Sequence, residues 1–443
     1  MAPGSESPGT DDPPVEAVGL RTHPLTAVVQ GALWAVAASA GLIGSILTGD
    51  GWGDLGPLIS LAGALVGGLL LGMLLGYVSW RFTRYVIDGA ELRIGSGVIT
   101  KSSRRIPYER IQSVDIAEPL VARLFGLAEL RIEMAGGKDS RTSLRFLRLS
   151  DARDLRRVLL SRAHGEEVAT GEDEHRTLIT RVPPERVMIG TVLSLDFLLA
   201  AVGSVVLVAL AIWFGQVVVA LGGIIPLGSW LAQIIALRVL QQWDFTLSRG
   251  ERGLRIERGL LSRTSQTIPF NRVQGIAVKE PFVWRRLGWQ RLEVDIAGYA
   301  AQGDDQGDNS SSTLLPIADP ALAAAVIAEL IPHASTRDLV LTRAPRRSWP
   351  FAPVGWRYRW IAADEITFVA HEGWIERTTS IVPHSKTQSV ELRQGPLQRR
   401  RRVATVEVHT PKGPVDADGR HLDERAARDA LLAQLARARA SRA

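Results

Sequence analysis

The chain of 443 residues is long enough for two or three domains, and it contains no cysteine, which excludes structural disulfides and thiolate metal centres. Its net charge of +6 rests on arginine, since only Lys101, Lys138, Lys279, Lys386 and Lys412 are lysines. Beside long apolar runs, such a balance points to an anionic lipid surface rather than to nucleic acid.

In chain order, the first segment is acidic and rich in Pro, Gly and Ser up to about Leu20, without a basic n-region. It reads as a disordered tail over 1–24 rather than a cleaved signal. Residues 25–48 and 57–80 each run for 24 positions without a charge. About 20 such residues cross a bilayer core of roughly 30 Å as a helix, so 25–80 is expected to form a first pair of spans. Residues 187–237 give 51 positions with one charge, Asp196. As one helix that stretch reaches about 75 Å, too long for one crossing, so a second pair over 187–240 is expected to turn near Gly215-Gln216. The 49–56 loop and the turn near 215 lack basic residues, while Arg21, Arg81, Arg84, Arg181, Arg186 and Arg238 flank the span ends. Arginine placement therefore predicts a multi-pass protein of the bacterial cell membrane, with both termini and the polar domains in the cytoplasm.

The polar parts repeat. Ile106-Pro107-Tyr108-Glu109-Arg110-Ile111-Gln112-Ser113-Val114 is followed by Glu118-Pro119-Leu120, Arg123 and Gly126. Ile268-Pro269-Phe270-Asn271-Arg272-Val273-Gln274-Gly275-Ile276 is followed by Glu280-Pro281-Phe282, Arg285 and Gly288. Val382-Pro383-His384-Ser385-Lys386-Thr387-Gln388-Ser389-Val390 is followed by Gln394-Gly395-Pro396 and Arg399. Gly97, Gly259 and Gly373 each precede the proline by ten residues, and Trp80, Trp243 and Trp356 precede it by 26 or 27. Spacing shared by three segments makes them copies of one unit.

Alternation predicts strands in each copy at Glu91–Ile94, Gly253–Ile256 and Glu365–Phe368, then beyond the shared glycine at Val98–Thr100, Leu260–Ser262 and Trp374–Glu376. Further strands are expected at Ser113–Ile116, Gly275–Val278 and Ser389–Leu392, and at Leu130–Met134, Leu292–Ile296 and Thr405–His409. Amphipathic helices over 151–163, 319–331 and 422–440 close the copies, with Asp151, Asp319 and Asp423 as caps. The expected fold is therefore a membrane α-helical protein of four spans with three β-rich domains over 81–165, 241–333 and 356–440. Each domain is a small antiparallel barrel or sandwich with a C-terminal helix, and linkers occupy 166–186 and 334–355.

The I-P-x-x-[RK]-x-Q-[SG]-[VI] segment, followed by E-P and R-x-x-G, resembles the bacterial pleckstrin-homology-like (PH-like) membrane domain in the multi-repeat arrangement of YdbT-like proteins. The resemblance implies a PH-type fold, a membrane-associated role, no catalytic residues, and a smaller single-domain relative as partner. The third copy departs from the pattern, with Gln398-Arg399-Arg400-Arg401-Arg402 in place of R-L-F-G and Gly395 in place of the motif proline.

Pro107, Gln112, Glu118, Pro269, Gln274, Glu280, Pro383, Gln388 and Gln394 recur in register, as fold-specifying positions must. Arg123 and Arg285 admit two readings, contact with lipid phosphate or protein, and pairing with the motif carboxylate. The Arg399–Arg402 run is the stronger lipid candidate, against a solvated charge cluster. Gly63/Gly67 and Gly68/Gly72/Gly76 recur at four-residue spacing, which suits close helix packing within the bundle or a homodimer. Asp196 is an intramembrane charge, read either as functional or as hydrated near a helix end. No nucleotide loop, serine elbow or two-histidine metal spacing appears, so no enzyme, metal or cofactor is expected. The expected function is a membrane-anchored scaffold or sensor that binds proteins, or lipid, through its domains; the alternative is a component of a transport, export or stress-resistance complex. Expected partners are the bilayer and another membrane protein or a second copy of the chain.

Overall fold

In the computed structural model, residues 19–21, 57–82, 84–88, 91–96, 102–134, 141–164, 176–251, 253–297, 313–332, 334, 339–411 and 413–442 are described. They fall into two units, one reaching residue 170 and the other running from 171 onward.

In the first unit, β1 (Gly19–Arg21) pairs antiparallel with β2 (Arg84–Ile87), although the helix α1 (Pro57–Phe82) lies between them in sequence. β3 (Glu91–Ser96) and β4 (Ser102–Pro107) complete the sheet β1-β2-β3-β4. Pro107 ends β4, and a 3-10 turn over Tyr108–Arg110 redirects the chain into β5 (Ile111–Pro119). The short helix α2 (Leu120–Leu124) follows Pro119, then β6 (Leu127–Met134), β7 (Arg141–Arg148) and α3 (Leu149–His164). Alternation sends Leu92, Ile94, Ile106, Val114, Leu130 and Ile132 inward, where Leu155 and Leu159 of α3 close the core.

The second unit repeats this plan twice. Copy two starts at β8 (Thr177–Val182), which pairs with β9 (Phe245–Arg249) across three intervening helices: α4 (Pro184–Val192), α5 (Leu195–Trp213) and α6 (Val217–Gln241). It continues through β10 (Gly253–Arg258), β11 (Ser262–Pro269), β12 (Val273–Pro281), α7 (Phe282–Arg286), β13 (Gln290–Ile296), β14 (Thr313–Ala318) and α8 (Pro320–Leu330). Copy three starts at β15 (Thr342–Arg343), passes through 3-10 segments at Arg346–Phe351 and Trp356–Tyr358, and forms β16 (Trp360–Ala363), β17 (Thr367–Glu372) and β18 (Glu376–Pro383). After the turn at His384–Lys386 come β19 (Ser389–Arg393), α9 (Pro396–Arg400), β20 (Val403–His409), β21 (Ala417–Asp423) and α10 (Glu424–Ala440). Among the described residues every copy thus holds seven strands and a closing helix.

The apolar helices stand between the first and second strands of their domain, so the first strands at 19–21 and 177–182 fall in segments expected to be tail and linker. Copies two and three also share a sheet. β12 of copy two pairs antiparallel with β18 of copy three, from Ile276↔Ile381 to Pro281↔Glu376, giving the order β14-β13-β12-β18-β17-β16-β15. Ile381 accordingly packs in the copy-two core, and Ala277 in the copy-three core.

The four-span expectation is corrected. Among the described residues one helix, α5, is long and apolar enough to cross a bilayer. Within α1 and α6 the apolar stretches among the described residues are Leu65–Val78 and Leu227–Gln241. Residues 25–48 lie outside the described residues, as do Val98–Thr100 and the Gly/Asp/Ser-rich 299–312. The cap expectations divide. Asp319 accepts from Leu322 N at 2.8 Å and Asp423 accepts from the Arg425 and Ala426 amides, but Asp151 lies inside the first turn of α3.

Candidate functional site

The apolar helices meet copy two at a glycine. A Cβ on Gly190 of α4 would come within 2.3 Å of Ile317 Cδ1 and 3.0 Å of the Trp284 ring, so glycine lets α4 lie close without displacing the Ile317 side chain. Trp284 of α7 is 1% exposed, and its Nε1 donates to the Gly190 carbonyl at 3.1 Å. α5 and α6 turn at Phe214–Gln216, where Gly215 takes φ +75°, and run back as a hairpin. Arg238 near the end of α6 therefore reaches the start of α5, donating to Asp196 Oδ2 and, at 3.2 Å, to Ser194 Oγ. Asp196 lies in the first turn of its helix, where the helix dipole favours an anion. Of the two expected readings the helix-end position holds, and Asp196 is paired there with Arg238.

Between this hairpin base and the sheet of copy two lies a cleft of about 450 Å³. Arg238 enters it from α6, Lys279 from β12 and Arg291 from β13. Lys279 and Arg291 stand directly opposite in the antiparallel register, an arrangement that is unfavourable for two cations unless an anion lies between or beside them. Glu293 meets part of that need, with Lys279 Nζ 2.7 Å from its Oε2. Arg291 instead places its guanidinium 5.3 Å from the Trp284 ring centre. Burial holds its pKa below the ordinary arginine value, against the opposing pull of Glu293. The cleft is a cationic recess at the polar end of an apolar hairpin, chemically suited to an anionic group.

The motif residues are positioned as follows. Pro107, Pro269 and Pro383 all end a strand with φ near −60° and ψ near 135°, each entering a 3-10 turn. The next side chain braces the fold. Tyr108 Oη donates to the Asp88 carbonyl at 2.6 Å, and His384, fully buried, lies 3.1 Å by Nε2 from the corresponding Asp364 carbonyl. Burial lowers the His384 pKa, so the ring is neutral and Nε2 is the donor. Gln274 donates to the Arg272 carbonyl of its own turn at 3.0 Å, whereas the Gln388 side chain is exposed and its backbone N–H bonds His409. The Gln112 side chain lies outside the described residues. Glu118 and Glu280 are half-buried, and Gln394 donates to the Val403 carbonyl at 3.2 Å.

Arg285 joins two copies. Its Nη2 donates to the Trp374 carbonyl of copy three at 2.7 Å, and its guanidinium lies over Phe282. Glu280 faces Arg377 across the β12–β18 register. Lys386 Nζ donates to the Asn271 carbonyl at 2.7 Å, so the motif cation of copy three grips the motif turn of copy two. Arg123 is half-buried in the last turn of α2. Arg399, Arg400, Arg401 and Arg402 are all exposed; the Arg402 carbonyl accepts from Arg347, while the charges point outward. Gly63 and Gly67 have no neighbour within 4 Å of a virtual Cβ, whereas Gly72 and Gly76 are buried and Gly68 is half-buried.

Two features escaped the sequence reading. Glu391, Glu407 and His409 bring donor atoms within 4.8 Å of one another, and Arg393 pairs with both carboxylates at 3.0 and 3.1 Å. Asp295 is buried against the 413–416 loop of copy three, accepting from Val415 N at 3.3 Å. Burial, more than nearby Asp416 and Glu293, raises its pKa to about 7. The Asp196–Arg238 pair is a further one, and its only sequence signal is that the two lie at comparable distances on either side of Gly215.

Seven-stranded units with a closing helix, two of them interrupted by apolar helices, define a membrane-associated protein with tandem PH-type domains. The chain belongs to the bacterial PH domain family, whose model matches residues 27–163, 193–334 and 313–439. It is similar to the UPF0699 transmembrane protein YdbT of Bacillus subtilis (strain 168), with 24% identity over 270 residues. That match covers 54% of each protein, so the chain spans about half the length of this curated relative.

Proposed function

We propose that the protein is a membrane-anchored scaffold whose PH-type domains recruit protein partners by sheet-edge pairing at the cytoplasmic face. The observation that carries this reading is the β12–β18 joint, in which one PH-type unit accepts an edge strand from the next over six residue pairs. β19 is the counterpart of β12 in copy three. It pairs with β20 and ends the sheet β19-β20-β21 among the described residues. An edge of this kind offers main-chain donors and acceptors to an incoming strand. A membrane protein carrying a single PH-type domain supplies a strand of the β18 type. Arg181, Arg186 and Arg238 flank the helices on the domain side, which supports a cytoplasmic orientation.

The test is photocrosslinking in native membranes from a photoreactive residue at Glu391, with the exposed Leu432 of α10 as reference. A discrete protein adduct from position 391 is expected. If position 391 yields no adduct beyond that at 432, edge recruitment by β19 is wrong.

A further inference from the structure

Copy three lacks an apolar helix between its first two strands, and what stands there is not an ordinary loop. Residues 346–358 read Arg-Arg-Ser-Trp-Pro-Phe-Ala-Pro-Val-Gly-Trp-Arg-Tyr. They occupy the topological position of α1 in copy one and of α4 to α6 in copy two, between β15 and β16. Trp356 holds the repeat position of Trp80 and Trp243. Trp80 lies in the last turns of α1, and Trp243 directly follows α6. Tryptophan at the end of an apolar helix is the residue expected at headgroup level.

The surroundings agree. In copy two the loop after Gly259 touches the end of α6: Gly259 N donates to the Trp243 carbonyl and Leu260 N to the Leu240 carbonyl, each at 2.8 Å. The matching loop in copy three is Trp374–Ile375 after Gly373, and Trp374 lines a cavity of about 720 Å³ with Trp356, Trp349, Val354, Arg346 and Arg357. Trp349 is 56%, Val354 58% and Trp374 40% exposed. None of the residues lining this cavity is a carboxylate. The segment is also tied to the hairpin base. Trp374 lies 6.2 Å from Phe282 of α7, and two residues along α7 Trp284 bonds Gly190 of α4. From below, Arg347 bonds Asp423 and Phe351 stacks on His421 at 4.8 Å, holding one end of the segment on copy three while Trp349 and Val354 project.

We propose that residues 346–358 and the Trp374–Ile375 loop insert into the headgroup region of an anionic bilayer, anchoring copy three where the other copies carry apolar helices. Tryptophan, tyrosine and valine supply the amphipathic and apolar contact at the acyl boundary, and Arg346 and Arg357 meet lipid phosphates. This goes beyond recruitment of proteins, because a lipid-facing surface reports on the bilayer whichever partner is bound.

The absence of cysteine permits a single labelled site. Full-length Val354→Cys carrying an environment-sensitive fluorophore is reconstituted into phosphatidylglycerol/phosphatidylcholine vesicles with spin-labelled lipids, and Leu432→Cys serves as reference. The expected result is blue-shifted emission and at least severalfold stronger lipid quenching at 354 than at 432. Adding Trp349→Asp and Trp374→Asp to the Val354→Cys chain is expected to abolish that quenching. Equal quenching at both sites, shielding at 354 from aqueous iodide without lipid quenching, or quenching that survives the two aspartates would each overturn the proposal.

Discussion

Asp295 shows how one carboxyl can govern a joint between domains. It is 2% exposed, a Cβ at Gly413 would strike it, and its pKa stands near 7 against an ordinary 3.8. The folded state therefore favours the neutral acid. Its contribution to stability is full below about pH 3.8, declines as pH rises, and is gone above about pH 7. In detergent micelles, the melting temperature of the wild type is expected to fall between pH 5 and 8, and Asp295→Asn to flatten that slope; parallel profiles would refute the assignment. Gly373 offers a second test. Its φ of +94° and the Glu376 carbonyl, 1.9 Å from a virtual Cβ, leave no place for a side chain. Gly373→Ala is expected to cost about 1–3 kcal/mol or more in denaturant unfolding. That glycine was legible from spacing alone, because it precedes the motif proline by ten residues in all copies. Asp295 was not, since its partners lie 120 residues away in the next copy.

At the scale of elements, the inventory of strands and a closing helix follows from alternation and the repeat, as at Gly253–Arg258 and Glu91–Ser96. The expected strand at Glu365–Phe368 lies two residues late, at Thr367–Glu372, because Asp364 accepts from the Ile366 and Thr367 amides and holds a turn there. First strands were illegible for a different reason: three residues at Gly19–Arg21 and two at Thr342–Arg343 carry no periodicity, and their partners lie beyond a helix or a 3-10 segment. The four-span expectation rests on absence of charge alone, and among the described residues only α5 joins that absence to sufficient apolar length. The contact fixing α4 to copy two yields a prediction of its own. Trp284→Ala removes a buried indole and leaves the Gly190 carbonyl without its donor, at an expected cost of about 3–5 kcal/mol. Hydrogen exchange should quicken over 184–192 and not over α10; uniform acceleration would argue against a local clamp.

Over the whole molecule, the shared sheet means that copy three is structurally part of copy two. Removing residues from 339 onward would bare β12 and remove Ile381 and Val369 from the copy-two core. A chain ending near 334 is expected to self-associate through that edge, visible as an earlier, broader elution in detergent than the full chain. A sharp peak of the smaller size would show that copy two stands alone. The placement of α4 to α6 has a further consequence for biogenesis. Val182 leaves the ribosome roughly 60 residues before Phe245, its partner across the β8–β9 ladder. At 5–20 residues per second, β8 waits roughly 3–12 s for β9. The α5–α6 hairpin emerges during that interval, so both apolar helices are outside the ribosome before the sheet of copy two can close around β8.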